Sequence, residues 1–213
     1  MNDDRSGGAA LVVGALLGIV TMSLHPTGHD LAASDGAASI ETLAIAVHAL
    51  VIASLPITFL GAMALTRRID SPARLATSAL VIHGFGAVSV MIAAAVSGFL
   101  GPHLVHQAAA DPTNETARLF LDYNARVNQV FARMFVAASS IAIFLWSASI
   151  VRTRVLAAGL GVYGIVIATV TIAALASGHL RLDVHGMGAV VLAQAVWLVI
   201  AGVSLFRRGS AGA

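Results

Sequence analysis

Apolar residues fall in six long blocks, at about 9–25, 43–66, 75–100, 127–151, 155–178 and 187–206, with polar residues gathered in the gaps. Each block is near the ~20 residues that a helix needs to cross a ~30 Å hydrocarbon core. No strands are expected. The pattern predicts an all-α fold: a polytopic membrane protein with six transmembrane helices, residues 1–213 forming one domain.

The gaps carry turn formers. His25-Pro26, Gly101-Pro102 and Asp111-Pro112-Thr113-Asn114 place loops at about 26–42 and 101–120, and a third lies at 179–186. A residue before proline is pushed out of the helical region, so the first helix should end near His25. The fourth block differs. Its helical spacing starts near Thr116, ahead of its apolar part, through Leu119, Leu121, Val127, Val130, Phe131 and Phe135. That predicts a helix projecting beyond the bilayer, with Asn124 and Asn128 on one face and Arg126, Gln129 and Arg133 on another.

Composition agrees with lipid as the solvent. The chain is 58% hydrophobic and 10% charged, too little charge for a soluble surface. The segment before the first block holds Asp3 and Asp4 against Arg5. A cleaved signal has a net positive start, so this block is read as a retained span. All twelve basic residues are arginine. With six crossings, Arg5, Arg67, Arg68, Arg74, Arg152, Arg154, Arg207 and Arg208 fall on one side, which the positive-inside rule makes cytoplasmic. Both termini are then inside, and a bacterial inner membrane is the expected location. Arginines clustered at block ends do not form a nucleic-acid stripe, despite a pI of about 9.9. The absence of cysteine excludes disulfides, thiolate metal sites and iron–sulfur clusters.

A repeat runs through the middle of the chain. Shifted by 80 residues, Arg74–Leu100 falls on Arg154–Leu180, with Arg74/Arg154, Gly84/Gly164, Ser97/Ser177 and Gly98/Gly178 identical. Shifted by 85, Val51–Arg67 falls on Val136–Arg152, with Ser54/Ser139 and Phe59/Phe144 identical. Helices 2–3 and helices 4–5 therefore read as a parallel repeat of helical hairpins. The last and first helices are then a third, split unit. Gly14/Gly18 and Gly98/Gly101 are small-residue spacings suited to close helix packing.

Candidate chemistry rests on histidine. From His48 to Arg67 is roughly 28 Å of helix, one hydrocarbon thickness, which sets His48 at the outer boundary. His25, His29, His103, His106, His179 and His185 lie at the same level, and only His83 sits deep. Neutral imidazole is the commonest metal ligand, and without thiols such a set suits zinc or another divalent transition metal. The expected metal ligands are His25, His29, His103, His106, His179 and His185, with Asp30 and Asp183 as candidate catalytic bases. Metal-bound water would then hydrolyse a lipid-like or periplasmic substrate. His103-Leu104-Val105-His106 lacks the glutamate of the zinc-hydrolase motif, and interfacial histidine also occurs without a metal. Two other readings stand: a non-enzymatic membrane protein (a transporter, chaperone or assembly partner), and a b-type haem protein of electron transfer. Candidate cofactor ligands for the latter are His48 and His83.

Overall fold

The computed structural model describes residues 3–26, 37–69, 74–111 and 113–211. The described residues are mainly helical and hold no strand. Seven α-helices form: α1 Asp3–Ser23, α2 Ala37–Arg68, α3 Leu75–Ala95, α4 Gly101–Ala110, α5 Glu115–Thr153, α6 Ala158–Ala176 and α7 Val184–Ala211. A π turn, Val96–Leu100, joins α3 to α4. Six helical segments are long and apolar enough to cross a membrane, α3 through α4 counting as one.

The helices form a ring. α1 lies between α2 and α7, α3 packs on α2 and α5, and α6 packs on α5 and closes against α7. Lipid tails are as apolar as leucine, so helix association in a membrane relies on close backbone approach. On α1, Gly7 meets Ala64 and Gly14 meets Thr58, both of α2, while Gly8 meets Gly202 of α7. A methyl group at any of these three would overlap the neighbouring helix. The spacing of small residues thus fixes which helices flank α1.

Burial is inverted relative to a soluble protein. Phe85 is 70% exposed and Val170 62%, while Ser147 and Ser149 are wholly buried. Leu11, Leu65, Ile69, Ile150 and Leu205 fill the core at the arginine-rich end. Trp146 of α5 and Trp197 of α7 stack there, ring centroids 6.1 Å apart. Each indole N–H has a partner: Trp146 donates to Thr66 Oγ1 at 3.0 Å, and Trp197 to the Leu160 carbonyl at 3.2 Å. Asp3 pairs with Arg67 and Asp4 with Arg68, and the Arg5 guanidinium lies 5.1 Å from the Phe206 ring centroid. Exposed pairs of this kind add little stability, but they bring the first helix, the end of α2 and the end of α7 to one end of the ring.

The boundaries follow the sequence in most places. α1 ends at Ser23, just before His25. α5 runs 39 residues, about 58 Å, and so extends well past a bilayer core. Its start is capped by Asn114, whose Oδ1 accepts the Ala117 N–H at 3.0 Å. The expected loop over 101–120 is the exception. Helix continues through Gly101 and Pro102 to Ala110, and the connection shrinks to residues 111–114. Proline is harmless in the first turn of α4, where its missing N–H is not needed. The π turn absorbs the change in helical phase without ending the rod.

Candidate functional site

At the end of α1 the Leu24 and His25 N–H groups donate to the Val20 and Met22 carbonyls, while Thr21 Oγ1 and Ser23 Oγ donate back to Leu17 and Ile19. Pro26 cannot continue the helix, so the chain turns at Leu24 and the His25 ring reaches α2. There it meets His48. The two Nε2 atoms are 3.2 Å apart, and the rings meet edge to face with centroids 4.8 Å apart. The opposite nitrogen of each ring sits on a backbone carbonyl: His25 Nδ1 on Pro26 at 2.9 Å, and His48 Nδ1 on Ala44 at 2.7 Å. His48 is buried and His25 half-buried. The π turn packs against this point of α2. A Cβ on Gly98 would fall on the His48 side chain, so glycine is what lets the imidazole sit there.

Behind the pair lies a cavity of about 430 Å³, walled by α1, α2, α3, α5 and α7. Most of its lining is apolar, including Val51, Val90, Phe135 and Leu198. The polar groups on its wall are few. Gln194 donates to Ser139 Oγ at 3.0 Å and Ser140 Oγ at 3.3 Å. Thr58 donates to the Ser54 carbonyl. His83 is stacked beside Phe59, centroids 6.3 Å apart, and lies 5.4 Å from the Trp146 ring. Its ring nitrogens have no hydrogen-bond partner among the described residues.

The remaining histidines are engaged elsewhere. His103 pairs with Gln107 at 3.0 Å along α4, and His106 with Glu41 of α2 at 2.7 Å. His179 pairs with Ser177 at 2.9 Å, and His185 is exposed at the start of α7. Asp183 caps α7: its Oδ1 accepts the Gly186 N–H at 2.9 Å. That bond, helped by His185 and Arg181, holds its carboxyl below the ordinary value. Asp183 also borders the cavity. Among the described residues, no three His, Asp or Glu gather into a metal-binding group. His25, His103, His106, His179 and His185 therefore do not converge on one point as the sequence led one to expect. They stand on different elements: His25 just beyond α1, His103 and His106 on α4, His179 between α6 and α7, and His185 at the start of α7. His29 and Asp30 lie outside the described residues. His48 and His83 border one cavity, but His48 is paired with His25 and His83 is stacked between aromatic rings.

Sequence reasoning placed His25 and His48 at one level without pairing them. Ser54 and Ser139 were singled out only as repeat positions, and Asn128 only for its helix face, but all three also line the cavity. The available signal was the adjacency of polar residues inside apolar blocks, since each needs a partner in lipid. No protein-family model, curated protein or solved structure matches the chain.

Proposed function

We propose that this chain is a multi-pass inner-membrane protein that binds one small, mainly apolar molecule in the cavity between α1, α2, α3, α5 and α7. The observation that carries this reading is the His83 imidazole on a mainly apolar wall, its ring nitrogens without a hydrogen-bond partner among the described residues. A buried polar group without a partner costs free energy that a guest's hydroxyl or carbonyl offsets. The volume of about 430 Å³ lies within the range of small-molecule pockets. The deep wall offers Thr58, His83, Ser139 and Gln194 and no carboxylate or guanidinium, which favours a neutral guest. A haem held by the paired histidines draws no support from their spacing. Axial ligands on opposite faces of an iron stand about 4 Å apart at ~2 Å each, and His25 and His48 approach to 3.2 Å.

The finer topology belongs to the same reading. Both termini are cytoplasmic, supported by the arginine-rich end that gathers Arg5, Arg67 and Arg68. The repeated hairpins are α2–α3 and α5–α6. Arg74 and Arg154, aligned by that repeat, are the two described non-glycine residues with left-handed backbone, φ 53° and 52°. Ser54 and Ser139, also aligned, line the same cavity.

The test uses the neutral amine N-phenyl-1-naphthylamine. Trp146 borders the cavity, so a guest there accepts energy from its indole. Metal-free protein in lipid nanodiscs should bind the probe saturably, one per chain. Ala87→Phe, which fills the cavity from α3, should abolish saturation. Linear partitioning that is the same in both proteins removes the binding reading.

A further inference from the structure

We infer that His25 and His48 supply two nitrogen ligands to one divalent transition-metal ion of the zinc type, held at the mouth of the cavity. The inference does not depend on what fills the cavity behind.

Proton counting gives the first argument. A carbonyl oxygen only accepts, so the nitrogen bonded to it must carry hydrogen. His25 Nδ1 lies on the Pro26 carbonyl and His48 Nδ1 on the Ala44 carbonyl. Each neutral ring has one proton, and both are now assigned. Both Nε2 atoms then present lone pairs, and they face one another at 3.2 Å. Two lone pairs at that distance repel unless a cation is shared between them.

Geometry gives the second. Zinc–imidazole bonds are 2.0–2.1 Å, and two such ligands at the tetrahedral angle stand about 3.3 Å apart. The observed 3.2 Å fits. Metal-bound histidines also fix the ring by donating the other N–H to a carbonyl or carboxylate, and both rings do so here. His48 gains a further constraint from Gly98, which packs directly on its side chain. π turns are frequent at functional sites. Two nitrogen donors without thiolate favour zinc or copper(II) over magnesium or calcium. Water or an oxygen of the bound molecule supplies the remaining positions.

The alternative occupant of the gap is a single proton, and one experiment separates the two. Full-length protein, stripped with chelator and placed in nanodiscs, is titrated with Co²⁺, whose visible absorption intensifies in four-coordinate sites. One Co²⁺ per chain should bind and be displaced by Zn²⁺. His25→Ala and His48→Ala should each weaken binding at least about tenfold. His25→Gln serves as a second variant that leaves α2 untouched, and circular dichroism checks that every variant is helical. His103→Ala and His179→Ala should bind as the wild type does. Wild-type protein that binds no more Co²⁺ than His25→Gln overturns the proposal, as a pair sharing only a proton would behave. Binding lost in His103→Ala but kept in His25→Gln overturns it too. Neither outcome touches the cavity reading, which is measured on metal-free protein.

Discussion

Replacing Gly98 by alanine isolates the contact on which His48 depends. In an open helical position, Gly→Ala gains up to about 1 kcal/mol from lower backbone entropy in the unfolded chain. At Gly98 the new methyl overlaps the His48 side chain and α2 must move. Overpacking of this kind costs about 1–3 kcal/mol, so the net change lies between about zero and a loss of about 3 kcal/mol. Gly159 is the matched control. It lies in α6, and a methyl there meets nothing within 4 Å. Gly159→Ala should therefore be neutral or stabilising by up to about 1 kcal/mol. The difference between the two variants, about 1–3 kcal/mol, is the overpacking term alone. The assay is SDS-driven unfolding in mixed micelles. Trp146 and Trp197 serve as probes, since they are the chain's two tryptophans and both are fully buried. Gly98→Ala should unfold at lower SDS than Gly159→Ala, and should bind Co²⁺ more weakly than wild type because the His48 nitrogen has moved. Equal midpoints for the two variants refute the packing argument.

Two further outcomes test other parts of the fold. Asp183 is held below its ordinary value by the Gly186 N–H, so its contribution is present above the unfolded value and is lost as pH falls through the folded one. Asp183→Asn keeps an acceptor for the cap but does not titrate. Wild type should lose stability relative to Asp183→Asn as pH drops below about 4; curves that stay parallel through that range would count against the cap. The chain lacks cysteine, so single cysteines report topology directly. A membrane-impermeant maleimide should label Thr113→Cys in intact cells and Asp3→Cys only after permeabilisation. Labelling of Asp3→Cys but not Thr113→Cys in intact cells would reverse the assigned orientation, and labelling of both would change the number of spans between them.

The spans were legible because lipid demands them. Block length, arginine placement and the pre-proline stop at His25 each rest on a local rule, and the helices follow. The run through Gly101-Pro102 was not legible, since glycine and proline read as a break unless the preceding turn is known to be π. Distance along a helix was legible: 1.5 Å per residue from Arg67 puts His48 roughly 28 Å along α2. Position around the ring was not. It follows from which helices touch, and that follows from methyl-sized detail such as Gly8 against Gly202 and Gly14 against Thr58. With α1 between α2 and α7, His25 meets His48. His179 and His185 emerge at the turn between α6 and α7, and His103 and His106 stand on α4. Similar distances along the helices were thus not enough to make the histidines converge.

Polar groups inside such a ring divide by what they satisfy. Trp146 with Thr66, and Gln194 with Ser139 and Ser140, answer one another's hydrogen-bonding capacity, and their presence is explained by packing alone. Asn124 Oδ1, Ser147 Oγ and Ser149 Oγ are unanswered, yet none of the three residues lines the cavity, so their cost falls on stability and offers nothing to a guest. Among the described residues lining the cavity, His83 on the deep wall and Asn128 of α5 have no side-chain hydrogen bond, and the Nε2 atoms of His25 and His48 face one another at the mouth. Desolvating an unpaired polar group costs about 1–3 kcal/mol, and at the cavity wall a bound molecule can offset that cost. With a neutral hydrogen-bonding molecule proposed within and a cation proposed at the entrance, the His83 and His48 substitutions should affect the two separately.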